Sequence, residues 1–259
     1  MMKTNYHTHT YRCMHALNVE DEMYVLSAIE AGFDELAFTD HVFYSSIKYP
    51  EQHQDRMHLN QVQTYLDSIN MLKEKYSDKI KILSGFEIEY YPELKEHYQW
   101  LRQNTDILIL GQHYRFFLFH DYGNYNNDED LKYYTQHITM AIDEKVVDII
   151  AHPDYFMLGR SYWSEACTKA AHLICQKAKA ADIPLEINLN GLRYGKKLLD
   201  GSYQYPYPYP LFWRIASQYG CKAILGYDAH NPATLNEDWR ITKVMEILDG
   251  IDINIIDRL

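Results

Sequence analysis

The sequence of 259 residues predicts an α/β protein built as a (β/α)7 barrel, with an open doubly wound sheet as the alternative. Seven short segments rich in β-branched and aromatic residues alternate with amphipathic helical patterns, as in parallel βα units. Most of these segments are continuous apolar runs, as expected when helices cover both faces of a sheet. No internal repeat, low-complexity linker or change in composition marks a boundary. We therefore expect residues 1–259 to form a single domain.

The predicted elements alternate along the chain. The strands are KTNYH (3–7), ELAFTDH (35–41), KIKILSGFEIEY (79–90), DILILGQH (106–113), VVDIIAHPD (146–154), IPLEINLNG (183–191) and CKAILGYDAH (221–230). The helices cover 18–31, 57–76, 92–104, 128–144, 163–181, 210–219 and 234–248. Asn18 is followed three residues later by Asp21, and this spacing predicts a capping box at the start of the first helix.

Composition and charge exclude several classes of protein. The chain is 47% hydrophobic and 24% charged, as in ordinary globular proteins, and its formal net charge of -11 argues against a nucleic-acid partner. No apolar run reaches the roughly 18 residues that span a bilayer, and the start lacks the pattern of a signal peptide. We expect no membrane partner and a cytoplasmic location. The four cysteines form no CxxC pair and are predicted to be buried, reduced thiols.

Histidine and acidic side chains recur where the predicted strands end. They are His7 and His9, followed by His15, then His41, Glu87, Glu89, His113, His152, Asp228 and His230. The carboxyl ends of parallel barrel strands converge on one face, so these side chains are expected to meet. His7 and His9 lie two residues apart on one side of a strand, with Cα atoms roughly 6.6 Å apart, close enough to bind one ion. The other histidines, at 53, 58, 97, 120, 137 and 172, are predicted to be solvated.

The order and approximate spacing of these motifs resemble those of the polymerase and histidinol phosphatase (PHP) superfamily over the whole chain. The motifs are HTH, TDH, GFEIEY, GQH, AHPD and DAH, together with His15. EINLNGLR, YPYP and GYDAHNP look most like the histidinol-phosphate phosphatase branch. The resemblance implies a distorted (β/α)7 barrel with a trinuclear metal centre at the carboxyl ends of the strands.

Carried over position by position, the resemblance also implies a ligand set for three divalent ions of zinc, manganese or iron. The first ion would take His7, His9, Glu87 and Asp228; the second His15, His41 and His230; the third Glu87, His113 and His152. Asp40 and Asp154 are candidates for orienting these imidazoles, with a role in a turn or helix cap as the alternative.

The chemistry of phosphate monoesters requires such ions. Enzymes accelerate this hydrolysis by up to about 10²¹-fold. A general base supplies only about 10²- to 10⁴-fold. Metal ions that generate hydroxide at neutral pH and neutralise the phosphoryl oxygens fill the gap. The resemblance implies L-histidinol phosphate as the small phosphorylated substrate, attacked in line by a metal-bridging hydroxide. Asp228 and His230 are the candidates for passing a proton to the leaving alkoxide.

Two arginines are candidates for binding the phosphate, because a guanidinium fork matches its oxygens. Arg193, after the sixth strand, aligns with an arginine that contacts phosphate in this family, and Arg160, after the fifth, would be its partner unless it is solvated on a loop. Residues 120–134 are predicted to be a mobile loop over the site. Their acidic run, 128–130, would attract the substrate ammonium group or begin a helix.

Several alternatives remain open from the sequence. The chain has GQH where the phosphatase branch usually has Gly-Ser-Val-His, and Tyr227 where that branch has Ser; neither difference removes a ligand, and both would reshape the pocket for the leaving group. A metal-dependent amidohydrolase also begins with His-x-His, but it would be expected to have eight strands and a bridging lysine. A PHP exonuclease would need a basic groove. A PHP phosphoesterase of broad specificity and a non-catalytic metal- or phosphate-binding module are further readings. The sequence does not determine the oligomeric state.

Overall fold

A computed structural model describes residues 2–44, 55–117 and 119–259, with an eight-stranded parallel sheet at its centre. His53 lies outside these residues. The strands of this sheet are β1 (Thr4–Asn5), β2 (Glu35–His41), β3 (Lys81–Ile88), β4 (Ile107–Leu110), β7 (Ile149–Ile150), β8 (Leu185–Asn188), β11 (Lys222–Gly226) and β12 (Asn254–Ile255). They are hydrogen-bonded in that order. Two antiparallel hairpins stand apart from the sheet: β5 (Tyr114–Phe116) with β6 (Phe119–Asp121), and β9 (Lys197–Leu199) with β10 (Ser202–Gln204).

The seven predicted strands are all present, and β12 is an eighth that the sequence analysis did not predict. In the described ranges, seven α-helices pack around the sheet: α1 (Asp21–Glu30), α2 (Val62–Lys75), α3 (Lys95–Asn104), α4 (Asp130–Asp143), α5 (Glu165–Ala181), α6 (Pro210–Tyr219) and α7 (Trp239–Ile247). Each lies within a predicted helix. The predicted barrel class is confirmed, with the sheet curled into an incomplete barrel.

The two ends of the sheet approach each other at the carboxyl ends of the strands. Thr8 forms a parallel bridge with Ala229, and the His9 backbone N–H donates to the Ala229 carbonyl at 2.9 Å. At the opposite end, β12 pairs with β11, and the Thr4 hydroxyl donates to the Asp257 carbonyl at 2.8 Å. The C-terminal segment therefore fills the gap between β1 and β11, while the carboxyl ends of these strands are joined directly.

Helix boundaries follow local capping chemistry. The Ser164 hydroxyl caps α5 by accepting from the backbone N–H of Cys167, and α5 ends at Asp182 in the left-handed conformation. Pro210 occupies the first turn of α6, where its missing N–H costs nothing. The predicted capping box at the start of α1 is wrong: the N-cap is Glu20, and its side chain makes no capping hydrogen bond.

Alternation along the strands separates two apolar layers. Ile107 and Ile109 of β4 face a small cluster inside the barrel, whereas Leu108 and Leu110 join the larger core between the sheet and the helices. This double burial explains the continuous apolar runs in the sequence. The four cysteines are buried and unpaired, as predicted. In the part of the chain that the structure describes, no helix is both long enough and apolar enough to span a bilayer.

Candidate metal centre

The nine predicted ligands come together at the carboxyl ends of the strands. Seven of them line a cavity of about 270 Å³: His15, His41, Glu87, His113, His152, Asp228 and His230. His7 and His9 lie in its floor and are almost fully buried. The nine residues come from six different strand ends and from the loop after β1. The curling of the sheet is what brings the first and last of them together.

Glu87 lies at the centre of the cluster. Its Oε1 is 2.8 Å from His152 Nε2, and its Oε2 is 2.9 Å from His41 Nδ1. Three further imidazole nitrogens, on His7, His9 and His113, lie 3.5 to 3.7 Å from its oxygens. A Cβ at position 111 would lie 1.8 Å from Glu87 Oε1, so the glycine of the GQH motif provides the space for this carboxylate.

Asp228 is a second carboxylate beside His7 and His9, near the same Nε2 atoms as Glu87. Its Oδ1 is 3.3 Å from His9 Nε2 and 3.6 Å from His7 Nε2. Its Oδ2 accepts hydrogen bonds from the amides of Asn188 and Asn190, at 3.3 and 3.1 Å. The backbone of Asp228 has a φ of 47°, a conformation that is uncommon for a residue other than glycine and concentrates at functional sites.

His15 and His230 face each other across the mouth of the cavity. Their Nε2 atoms are 2.9 Å apart. The Nδ1 of each ring bonds to a backbone carbonyl, that of Cys13 and that of Asp228 respectively. Because a carbonyl only accepts, each Nδ1 carries the proton, and in neutral rings both Nε2 lone pairs point at one another. This arrangement is repulsive unless a cation or a proton lies between the two nitrogens.

The imidazole nitrogens and carboxylate oxygens of the cluster are suitable ligands for divalent cations. Among the described residues, several buried ring nitrogens of the cluster have no hydrogen-bond partner: His7 Nε2, both nitrogens of His9, and His152 Nδ1. Such unsatisfied buried atoms are costly unless something binds them. Groups whose ligand atoms lie within 4.8 Å of one another include His7–His9–Asp228, His7–Glu87–His152 and His9–His41–His230. The last group contains His9 where the predicted set for the second ion contains His15.

The pKa values of five of the nine ligands favour the forms that bind metal, whereas neighbouring carboxylates outweigh burial and raise the pKa of His7 and His113. Burial and neighbouring imidazoles lower the pKa of His9 well below its usual value and the pKa of both His15 and His41 to about 4. Burial alone would raise the pKa of Glu87 and Asp228, but the surrounding imidazoles outweigh it and hold both well below their usual values. Neutral imidazole and ionised carboxylate are the forms that coordinate cations.

A buried carboxylate that the sequence analysis did not single out orients the ligands from below. Glu186 on β8 accepts a hydrogen bond from His7 Nδ1 at 2.8 Å and another from the His152 backbone N–H at 3.1 Å. This fixes the His7 tautomer so that Nε2 faces the cluster. A Cβ at Gly226 would lie 1.8 Å from Glu186 Oε1. The only signal in the sequence was a glutamate inside the apolar run IPLEINL.

The two aspartates predicted to orient imidazoles differ in position. Asp40 lies with its Oδ1 3.5 Å from His9 Nδ1 and accepts the Thr10 N–H at 3.1 Å. Asp154 instead accepts the backbone N–H of Tyr209 at 2.6 Å and the Trp213 indole N–H at 3.1 Å. Its carboxylate therefore anchors α6.

The structure brings only one of the two predicted arginines to the cavity. Arg193 lines it, and its guanidinium donates to the Tyr194 hydroxyl at 2.7 Å. Arg160 is buried outside the cavity lining and donates to Asp128 Oδ1 at 2.5 Å, so its guanidinium group already has an anionic partner. Arg56 also lines the cavity, although no motif in the sequence pointed to it.

Two other expectations change with the structure. His137, predicted to be solvated, is only 8% exposed, because it lies on the inner face of α4. The predicted mobile loop 120–134 contains the end of β6, the fully buried Tyr122 and the start of α4, which begins at Asp130. The segment that contains the YPYP motif contributes Tyr207 to the cavity wall.

The fold and the cluster define a parallel α/β barrel with a histidine- and carboxylate-rich candidate metal site at the carboxyl ends of its strands. The model of the PHP domain family matches residues 5–190, and the chain belongs to that family. This membership removes the amidohydrolase alternative. The sequence prediction of the superfamily is confirmed.

Similar proteins in this family are named as histidinol phosphatases. Histidinol-phosphatase of Bacillus subtilis is 30% identical over 98 residues, which span 37% of each chain, so the chain spans well under half of that relative. The probable histidinol-phosphatase of Deinococcus radiodurans is 25% identical over 87% of this chain and 85% of its own. A crystal structure of histidinol phosphate phosphatase from Lactococcus lactis, complexed with zinc, L-histidinol and phosphate, has the same fold. Its TM-score is 0.71 at 18% identity, over 98% of this chain and 95% of that one.

Proposed function

We propose that this protein is a metal-dependent phosphomonoesterase that hydrolyses L-histidinol phosphate to L-histidinol and phosphate, a step of histidine biosynthesis in the cytoplasm. The observation that carries the proposal is a cluster of seven imidazoles around two ionised carboxylates, in the floor and walls of a cavity that also holds Arg193. The names of the relatives support this leaving group. Residues 1–259 would act as one domain, because the central sheet includes strands from both ends of the chain.

The proposed ligands are the nine residues at the strand ends, holding three divalent ions of zinc, manganese or iron. Glu87 has an oxygen facing the His7–His9 side and another facing the His113–His152 side, so it is placed to bridge two ions. Bound there, the ions would lower the pKa of a water molecule and neutralise the phosphoryl oxygens. Nitrogen and carboxylate donors accept several divalent metals, so the identity of the ions is a matter for measurement.

The chain itself would bind and orient the phosphate. The Arg193 guanidinium is charged at all physiological pH values and can donate two parallel hydrogen bonds to phosphate oxygens. It would exchange its present bond with the Tyr194 hydroxyl for these. Asp228 and His230, both in the cavity wall, are the proposed groups for passing a proton to the leaving alkoxide.

The proposal is tested by metal analysis together with turnover of four substrates. These are L-histidinol phosphate, p-nitrophenyl phosphate, a phosphodiester and single-stranded DNA. We expect turnover of the two monoesters, with histidinol phosphate preferred, and loss of turnover after chelation. Turnover of DNA without monoesters would identify an exonuclease instead. No turnover of any ester by metal-loaded protein would identify a binding module and contradict the proposal.

Replacing Arg193 with alanine tests the phosphate contact. A hydrogen bond to a charged group contributes about 1.5–3 kcal/mol, so KM for histidinol phosphate should rise about ten- to hundredfold. The matched control is Arg102→Ala, which removes an arginine paired with Asp148 at the opposite ends of the strands. An unchanged KM in Arg193→Ala would contradict this assignment.

A further inference from the structure

The β5–β6 hairpin forms one wall of the cavity and carries negative charge outside the metal cluster. Tyr114 and Asp121 are directly paired across this hairpin, and both line the cavity. Asp55 lies beside them, since the Tyr114 hydroxyl donates to Asp55 Oδ2 at 2.6 Å. Neither aspartate is among the nine proposed ligands.

The two aspartates differ in how their charge is balanced. Asp55 is paired with Arg56, whose Nε lies 3.2 Å from Asp55 Oδ1. Burial acts to raise the pKa of Asp55, but Arg56 outweighs it, and the pKa lies below its usual value. Within the described ranges, no lysine, arginine or histidine nitrogen lies within 4.0 Å of the Asp121 carboxylate. Among the described residues, Asp121 therefore has no ion pair, although its charge interacts with the imidazole of His113.

Asp121 is held in position through one of its two oxygens. Oδ1 accepts from the Tyr155 hydroxyl at 3.0 Å and from the Gly123 backbone N–H at 2.7 Å. A Cβ at Gly123 would lie 2.3 Å from the Tyr155 hydroxyl, so glycine allows this approach. Neither of these two hydrogen bonds uses Oδ2. The Tyr155 ring packs against His113, with ring centroids 5.0 Å apart. Tyr155 therefore connects Asp121 to His113 of the cluster.

An unpaired carboxylate in a cavity for a phosphate dianion repels the substrate unless the substrate also carries positive charge. We propose that Asp121 is a specificity-determining residue that binds the cationic leaving group of the phosphate ester. The phosphate would lie against the cluster and Arg193, and an ammonium or imidazolium group would bond to Asp121 Oδ2. This inference rests on the proposed function, and it assigns to Asp121 the role that the sequence suggested for the acidic run 128–130.

Asp121→Asn is the sharpest test, because an amide keeps an acceptor oxygen for Tyr155 and Gly123 and removes only the charge. We expect kcat/KM for L-histidinol phosphate to fall about ten- to hundredfold, while that for p-nitrophenyl phosphate stays within about twofold. Glu129→Gln is the matched control, since it removes the same charge from an exposed side chain outside the cavity. It should change neither value.

A binding measurement separates this inference from the proposed function. Calorimetric titration of the metal-loaded protein with L-histidinol should show about tenfold weaker binding in Asp121→Asn, with the affinity for inorganic phosphate unchanged. That result supports the inference even if the wild-type protein turns over no monoester. An equal loss of kcat/KM for both substrates, or of affinity for both L-histidinol and phosphate, would indicate a general structural role and overturn the inference. An unchanged affinity for L-histidinol in Asp121→Asn would overturn it as well.

Discussion

Replacing Glu186 with glutamine tests whether this carboxylate fixes the metal-binding form of His7. Glu186 receives donors at both oxygens: His7 Nδ1 at Oε1, and the His152 backbone N–H and the Asn188 amide at Oε2. A glutamine has one acceptor oxygen, so its NH2 group must face at least one donor. If it faces His7, the imidazole moves its proton to Nε2 and presents an N–H where a cation would bind. If it faces His152, two hydrogen bonds are lost.

The magnitude follows from comparable interactions. Removing a partner that orients a histidine ligand costs about 10- to 100-fold in metal affinity or activity, equivalent to about 1.4–2.7 kcal/mol. We expect this loss in competition titrations of the metal-free protein with Zn²⁺ or Mn²⁺ against a chelating dye. Activity at saturating metal should recover in part, because the ligands of the cluster remain in place.

Glu35→Gln provides the control for burial. Glu35 begins β2 at the opposite end of the barrel, where it accepts from the Tyr6 hydroxyl at 2.6 Å and pairs with Lys81 at 3.1 Å. Its replacement should lower the unfolding temperature and leave metal affinity unchanged. The reasoning is refuted if Glu186→Gln binds metal within about twofold of the wild type, since a tautomer change cannot cost so little.

Two further substitutions probe the site and the core. Gly111→Ala places a Cβ 1.8 Å from Glu87 Oε1, so the carboxylate must move. We expect elemental analysis to find fewer bound ions and activity to fall at least about tenfold. Full metal content with full activity would contradict this packing argument. His137→Gln removes a histidine whose pKa burial lowers to about 4. The unfolded chain protonates this group first as the pH falls from about 6.5, so folding stability drops between about pH 6.5 and 4, by at most about 3.4 kcal/mol. Urea titrations should show a shallower loss of stability in the variant over this window, and parallel curves would exclude His137 as a source of acid sensitivity.

The sequence by itself determined seven of the eight strands of the central sheet, the helices and the residues at the strand ends. Strands covered on both faces must be apolar along their length, so the seven segments were visible without any knowledge of their neighbours. Because parallel strands of a barrel direct their carboxyl ends to one face, His7 and Asp228 could be expected to meet although 220 positions separate them. Periodicity and connectivity are local properties of the chain, and they are sufficient for this much.

Only the tertiary structure decided which side chains reach the cavity from outside these strand ends. Arg160 and Arg56 both follow strands, yet Arg160 bonds to Asp128 while Arg56 lines the site. Glu186 and Asp121 acquire their positions from partners far along the chain, His7 for one and Tyr155 for the other. The direction of a side chain depends on the partners that packing brings to it. Those partners belong to elements far apart in the chain, and no periodic pattern in the sequence shows which elements will be in contact.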